Sequence, residues 1–130
     1  MAKTMKDFIT EARDKTGGSV SPRDAEGANA LILDVREAEE LASTGRVAGA
    51  LHIPRGLLEA KADPSSPAQA AELTGALAAN RPVNVLCASG ARAALAAARL
   101  VEMGYTAKPI EGGIKAWQDA GLPIAKGGSA

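Results

Sequence analysis

Residues 83–103 read VNVLCASGARAALAAARLVEM. Val83, Val85 and Leu86 give a short apolar run, as expected of a parallel strand buried on both faces. From Gly90 to Met103 the chain is dominated by Ala and Leu, strong helix formers, and Gly104 ends the run. Between the two lies Cys87-Ala88-Ser89-Gly90-Ala91-Arg92, a turn whose side chains are small until Arg92. A buried strand passing directly into a helix is the building unit of an α/β domain with a parallel sheet. Ligands of such sheets bind beyond the carboxyl ends of the strands. The single cysteine of the chain stands at that edge.

The flanking sequence repeats the same alternation. Ala30 to Val35 (ALILDV) is the clearest second strand, followed by a Glu-rich helix over Arg36 to Ala42 that closes near Gly45. Ala50 to Ile53 is a shorter strand stopped by Pro54, and Arg55 to Lys61 reads as helical. Asp63 to Pro67 is a surface loop. Ala68 to Ala79 is an amphipathic helix broken by Arg81-Pro82. Thr106 to Ile110 is the last strand and Ile114 to Ala120 the last helix. Upstream, Met5 to Ala12 forms a helix capped by Thr4 or Asp7 and ended by Gly17 and Gly18. Ser19 and Val20 then add a short strand before Ser21-Pro22, an N-cap followed by a first-turn proline. These signals divide the chain into an N-terminal helical extension (1–16), one α/β domain (17–124) and a frayed tail (125–130).

Bulk composition narrows the function. A chain of 130 residues with 46% hydrophobic residues suits one globular domain. Fifteen basic residues balance fifteen acidic ones, which is not the footprint of a nucleic-acid binder. One Trp, one Tyr and one Phe provide no stacking platform for single strands. One cysteine permits neither an internal disulfide nor a cysteine-built zinc site, and no metal or organic cofactor is expected. The charged beginning of the chain is no secretory signal, and no segment is apolar enough to span a bilayer. The expectation is a cytoplasmic monomer, able at most to dimerise weakly, with no membrane or nucleic-acid partner.

The turn after Cys87 suits anion chemistry. Gly90 is free to adopt unusual dihedrals, so the segment can aim several backbone N–H groups at one point. The helix start adds about half a positive charge, and Arg92 a full one. The thiolate is the nucleophilic form of cysteine, and these surroundings favour it. Against this stands the ordinary role of a lone cysteine as a small buried hydrophobe. Two other strands reach the same edge, one delivering Asp34 and Arg36, the other Glu111, Gly112 and Gly113.

Asp34-Val35-Arg36-Glu37 resembles the DVRE motif of rhodanese domains. Gly45-Arg46-Val47-Ala48-Gly49-Ala50 with Ile53-Pro54 is similar to their GHIPGA…IP stretch. Cys87-Ala88-Ser89-Gly90-Ala91-Arg92 resembles their active-site loop, often C-R-S-G-x-R. Glu111-Gly112-Gly113 with Ala116-Trp117 resembles their closing GG…AW motif, and Gly121-Leu122-Pro123 their usual tail. The resemblance runs over about residues 17–124, in the family's order. It implies a central five-stranded parallel sheet flanked by helices on both faces. It also implies a sulfurtransferase in which Cys87 takes sulfur from thiosulfate or a similar donor as a persulfide, then passes it to cyanide or a thiol. Ala88, Ser89, Gly90, Ala91 and Arg92 would cradle the transferred sulfur. Rhodanese loops have four residues between Cys and Arg, as here, whereas the related dual-specificity phosphatases have five, which favours sulfur over phosphate. The alternative within the family is a regulatory module that holds sulfur without turnover.

This chain departs from the pattern at Ala88, where many relatives carry Arg, and at Arg46 and Val47, where His and Ile are common. Asp34 is expected to brace the site by accepting from loop N–H groups. Arg36 either pairs with a Glu or lines the substrate mouth, and is counted among the substrate-binding residues. His52, the only histidine, is read as a packing or surface residue and Trp117 as core. Arg55 and Lys61 are assigned to a solvated face. With no second cysteine, the sulfur must leave to an external acceptor.

Overall fold

The structure is a computed structural model that describes residues 2–126. Strands β1 (Leu31–Asp34), β2 (Leu51–His52), β3 (Val83–Leu86) and β4 (Ala107–Pro109) form one parallel sheet in the order β2-β1-β3-β4. The two apolar runs lie at its centre, with Leu33 opposite Val85 and Asp34 opposite Leu86. A further bond from the Val35 N–H to the Leu86 carbonyl, 2.9 Å long, carries the pairing past the strand end.

The sheet has four strands among the described residues, not five. The expected first strand is a single bridge, Val20 against Ile110. Two bonds hold it, Val20 N–H to the Pro109 carbonyl at 3.0 Å and Glu111 N–H to the Val20 carbonyl at 2.8 Å. The reason is local. Gly18 has φ +108°, and Ser21 already caps the next helix by accepting from the Asp24 N–H. Only Val20 is left to extend.

Alternation along β1 and β3 makes two cores. Leu31, Leu33, Val35, Val83, Val85 and Cys87 face one side, where they meet α4 (Leu58–Ala62), α5 (Ala71–Ala78) and α6 (Ala91–Glu102). Ile32 and Leu86 face the other, with Ala25 of α2 (Pro22–Gly27) and Ile114 and Trp117 of α7 (Gly113–Asp119). This is the period-2 pattern of a sheet covered on both faces. Aromatic rings are scarce, so α6 approaches the sheet through Ala93, Ala96 and Ala97, all fully buried. Leu73 and Ala76 are the buried apolar residues of α5, while Ala71 and Ala78 are exposed.

The first helix, α1 (Met5–Thr16), is fixed by a capping box between Thr4 and Asp7 and ends at Gly17 with φ 75°. It packs across α6, burying Ala12 and joining Lys15 to Glu102 at 2.7 Å. At the other end, Ala125 is not frayed. It exchanges backbone hydrogen bonds of 2.7 and 2.8 Å with Arg46. The rest of the expected tail, from 127, lies outside the described residues. No helix among the described residues is long and apolar enough to cross a membrane.

Candidate active site

The chain leaves β1 toward β2 on one side and leaves β3 toward β4 on the other. The crevice of the sheet therefore opens between the ends of β1 and β3. Cys87 stands there. Its Sγ accepts hydrogen bonds from the N–H of Gly90 at 3.0 Å and of Ala93 at 3.3 Å. The residue is 1% exposed, so the sulfur lies under the loop, while Ala88, Ala91 and Arg92 are half-buried and Ser89 exposed around it. Cys87 thus belongs to the apolar core on the α6 side, yet its sulfur is met by amides rather than left among methyl groups.

The turn is held in this form from behind. The carbonyl of Cys87 accepts from the Ile114 N–H at 2.8 Å, and that of Ala88 from the Lys115 N–H at 3.3 Å. The first turn of α7 thereby fixes the loop carbonyls on its own side and leaves the loop amides for the sulfur side. Such contact needs a residue without a side chain at the crossing. A Cβ on Gly113 would lie 2.5 Å from the Ala88 carbonyl carbon and from the Cys87 oxygen, at φ +64°. Gly90, at φ +111°, packs against Gly112. The amides of Gly90 and Ala93 point inward because they belong to the start of α6, where N–H groups have no partner within the helix.

The other expected site residues are placed as follows. Asp34 and Arg36 are both fully buried and bound to each other. The Asp34 carboxylate takes the Arg36 backbone N–H at 3.0 Å and two guanidinium nitrogens at 2.8–3.2 Å. Its partner is therefore Arg36, not the amides of the cysteine loop. Arg36 further donates to the Thr44 hydroxyl at 2.7 Å and the Gly45 carbonyl at 2.9 Å. Its fork is spent on bracing α3 (Ala38–Thr44), and only its edge reaches the wall of a cleft. Among the described residues Arg92 makes no hydrogen bond to the sulfur. Its guanidinium forms a two-pronged pair with Glu40 at 2.7 and 2.8 Å. That bond, with a smaller contribution from the Glu37 N–H, lowers the Glu40 carboxyl from 4.5 to about 2, and Glu40 in turn raises Arg92. His52 donates from Nε2 to the Arg36 carbonyl at 2.7 Å, so it supports the end of β1. Trp117 is buried as expected.

Beside the loop is a cleft of about 340 Å³. Ala88 and Ile114 form one side, and Glu39, Glu40, Ser43, Thr44 and the edge of Arg36 the other. Another cleft, of about 400 Å³ between α1 and α6, contains no cysteine. Sequence reading missed Glu40, whose only signal is a place three residues after Glu37 in a helix-start spacing. It also missed the amides of Ile114 and Lys115, which leave no trace in side-chain identity.

This fold agrees with what the chain is similar to. The chain belongs to the rhodanese-like domain family, which it matches over residues 22–120. A sulfurtransferase of Allochromatium vinosum is 35% identical over 107 residues, covering 82% of this chain and 88% of that protein. The thiosulfate sulfurtransferase GlpE of Actinobacillus succinogenes is 34% identical, covering 74% of this chain and 76% of that one. Among solved structures, a Rhodopseudomonas palustris protein of unknown function, described as a possible tyrosine phosphatase, superposes with a TM-score of 0.86. It is 30% identical, with 95% of this chain and 96% of that one covered.

Proposed function

We propose that the protein is a sulfurtransferase that carries sulfane sulfur on Cys87. The Cys87 thiolate attacks the outer sulfur of thiosulfate or a similar donor. The S–S bond of the donor breaks, and its electron pair leaves with sulfite. The persulfide on Cys87 is then attacked at its outer sulfur by cyanide or a thiolate, and the electron pair returns to Sγ. Each step is an ionic two-electron displacement that needs neither metal nor organic cofactor. In this reading Ala88 to Arg92 hold the outer sulfur through their backbone, and Asp34 with Arg36 keeps the loop's neighbour strand and α3 in place.

The observation that carries this reading is the convergence of two amides on Sγ, at 3.0 and 3.3 Å, while the loop carbonyls are held away. Amides aimed at sulfur stabilise negative charge there in both the resting and the loaded state. Thiosulfate should add about 32 Da to the intact protein, one sulfur atom on one thiolate, and cyanide should remove it. Cys87→Ala should lose both steps. A protein that gains no such mass from thiosulfate, polysulfide or an alkyl persulfide is not a sulfur carrier.

The low exposure of Cys87, 1%, favours one second reading, a module that holds sulfur without useful turnover. Persulfide that forms but is not discharged by cyanide over repeated cycles would select it. A phosphatase assay against a generic aryl phosphate checks the activity suggested for the Rhodopseudomonas palustris protein. The short Cys87–Arg92 loop predicts no turnover there.

A further inference from the structure

The two arginines of the site are both held by carboxylates. Arg36 is buried on Asp34, and Arg92 is clamped edge-on by Glu40. Glu39 stands on the wall of the cleft beside the loop, and Glu37 begins the same helix. Among the described residues neither Glu37 nor Glu39 has a basic side chain within ion-pair distance. Across the cleft stand Ala88 and Ile114, which bring no charge. Lys115, next to Ile114 in the chain, is largely exposed and faces Asp119 at 3.5 Å. The cleft beside the Cys87 loop thus sets an apolar side, Ala88 and Ile114, against a side carrying Glu39 and Glu40 with the edge of the Asp34-bound Arg36, and the loop cation Arg92 is held by Glu40.

Resting on the sulfur-carrier reading, we infer that Glu40 is a specificity-determining residue that turns this cleft toward a cationic sulfur acceptor, a thiol on a peptide or protein segment flanked by basic residues. The acceptor thiolate attacks the outer sulfur of the Cys87 persulfide. The Cys87 S–S bond breaks, its electron pair returns to Sγ, and the persulfide leaves on the acceptor, with no oxidant or reductant needed. A basic flank is drawn in by Glu39 and Glu37. A small dianion such as thiosulfate meets the same field with the opposite sign, and Arg92 is not free to offset it. With Arg36 tied to Asp34, Glu39 leaves the cleft an excess of negative charge, and such fields change association rates by a factor of about ten or more.

The test loads the whole protein with saturating thiosulfate, removes the excess, and follows loss of the added sulfur by intact mass. The acceptors are two cysteine peptides of equal length, one with flanking lysines and one with flanking glutamates, at low ionic strength where screening is weak. The lysine peptide should discharge the persulfide roughly tenfold faster. Glu40→Gln and Glu39→Gln should each shrink that preference, and Glu40→Gln, by releasing Arg92, should also raise kcat/KM for thiosulfate. A role of Glu40 confined to structure would instead lower every rate together. Glu39→Gln, at an exposed position without an ion pair, keeps the question open to a decision if Glu40→Gln folds poorly. Equal rates for the two peptides with normally loaded protein overturn this inference alone. Failure to load with any donor overturns the sulfur-carrier reading and this inference with it.

Discussion

Two ion pairs at the site differ in kind. Asp34–Arg36 is fully buried, and every oxygen and nearly every donor has a partner. Such a pair holds geometry more than it adds stability, and here it ties the end of β1 to the last turn of α3. Glu40–Arg92 is about one-third exposed on each side. Its two-pronged geometry makes it better than an ordinary surface pair, with a contribution of about 1 kcal/mol. Because the Glu40 carboxyl is lowered from 4.5 to about 2 in the folded protein, the pair stabilises fully above 4.5 and fades as pH falls toward 2. Glu40→Gln should therefore be the less stable protein at neutral pH. The gap in urea midpoint between the two should close as pH is lowered through that window. A gap that stays constant or widens in acid would show that the carboxylate charge is not what the pair uses.

At the scale of elements, the site is a joint between β3, the start of α6 and the first turn of α7. Its sulfur-facing half was legible in the sequence. A buried strand, a lone cysteine and a run of small residues before an alanine-rich helix put the cysteine at a helix start with amides around it, a reading that stands beside that of a small buried hydrophobe. The fold class was legible for the same reason, since strand and helix periods alternate cleanly along the chain. The fifth strand was not. Val20 pairs as a strand residue should, but Gly18 and the Ser21-Pro22 helix start leave it no neighbours. Nor was the destination of Arg92 or Arg36 legible, because each depends on which side chains α3 brings across, and sequence spacing within one element does not encode that. The joint makes its own prediction. Gly113→Ala forces a methyl group into the carbonyls of Cys87 and Ala88 at φ +64°. It should cost about 2–4 kcal/mol and slow persulfide formation even at temperatures where the protein remains folded. Gly49→Ala is the control. It also has positive φ but nothing within 4 Å, so it should lose about 1 kcal/mol and load sulfur normally. Denaturant midpoints and loading rates measured on both proteins decide it.

Over the whole molecule, two distant parts of the chain close around the sheet. Helix α1 lies on α6. The segment after α7 returns to pair Ala125 with Arg46, next to Gly45, whose carbonyl holds Arg36. Trp117 links this return to the core, since it is 1% exposed and its indole N–H donates to the Pro123 carbonyl at 2.9 Å. Trp117→Phe keeps an aromatic ring but removes volume and that bond. A loss of about 2 kcal/mol is expected, visible as a drop in Tm of several degrees. An unchanged Tm would mean that the indole's extra volume and its bond to Pro123 add nothing to stability.

The loop carbonyls are secured by Ile114 and Lys115, well downstream of the cysteine they serve. The turn is thus finished from outside its own strand–helix unit. A chain truncated ahead of α7 would retain Cys87 and the amides of Gly90 and Ala93 but lose both donors that anchor the turn from behind.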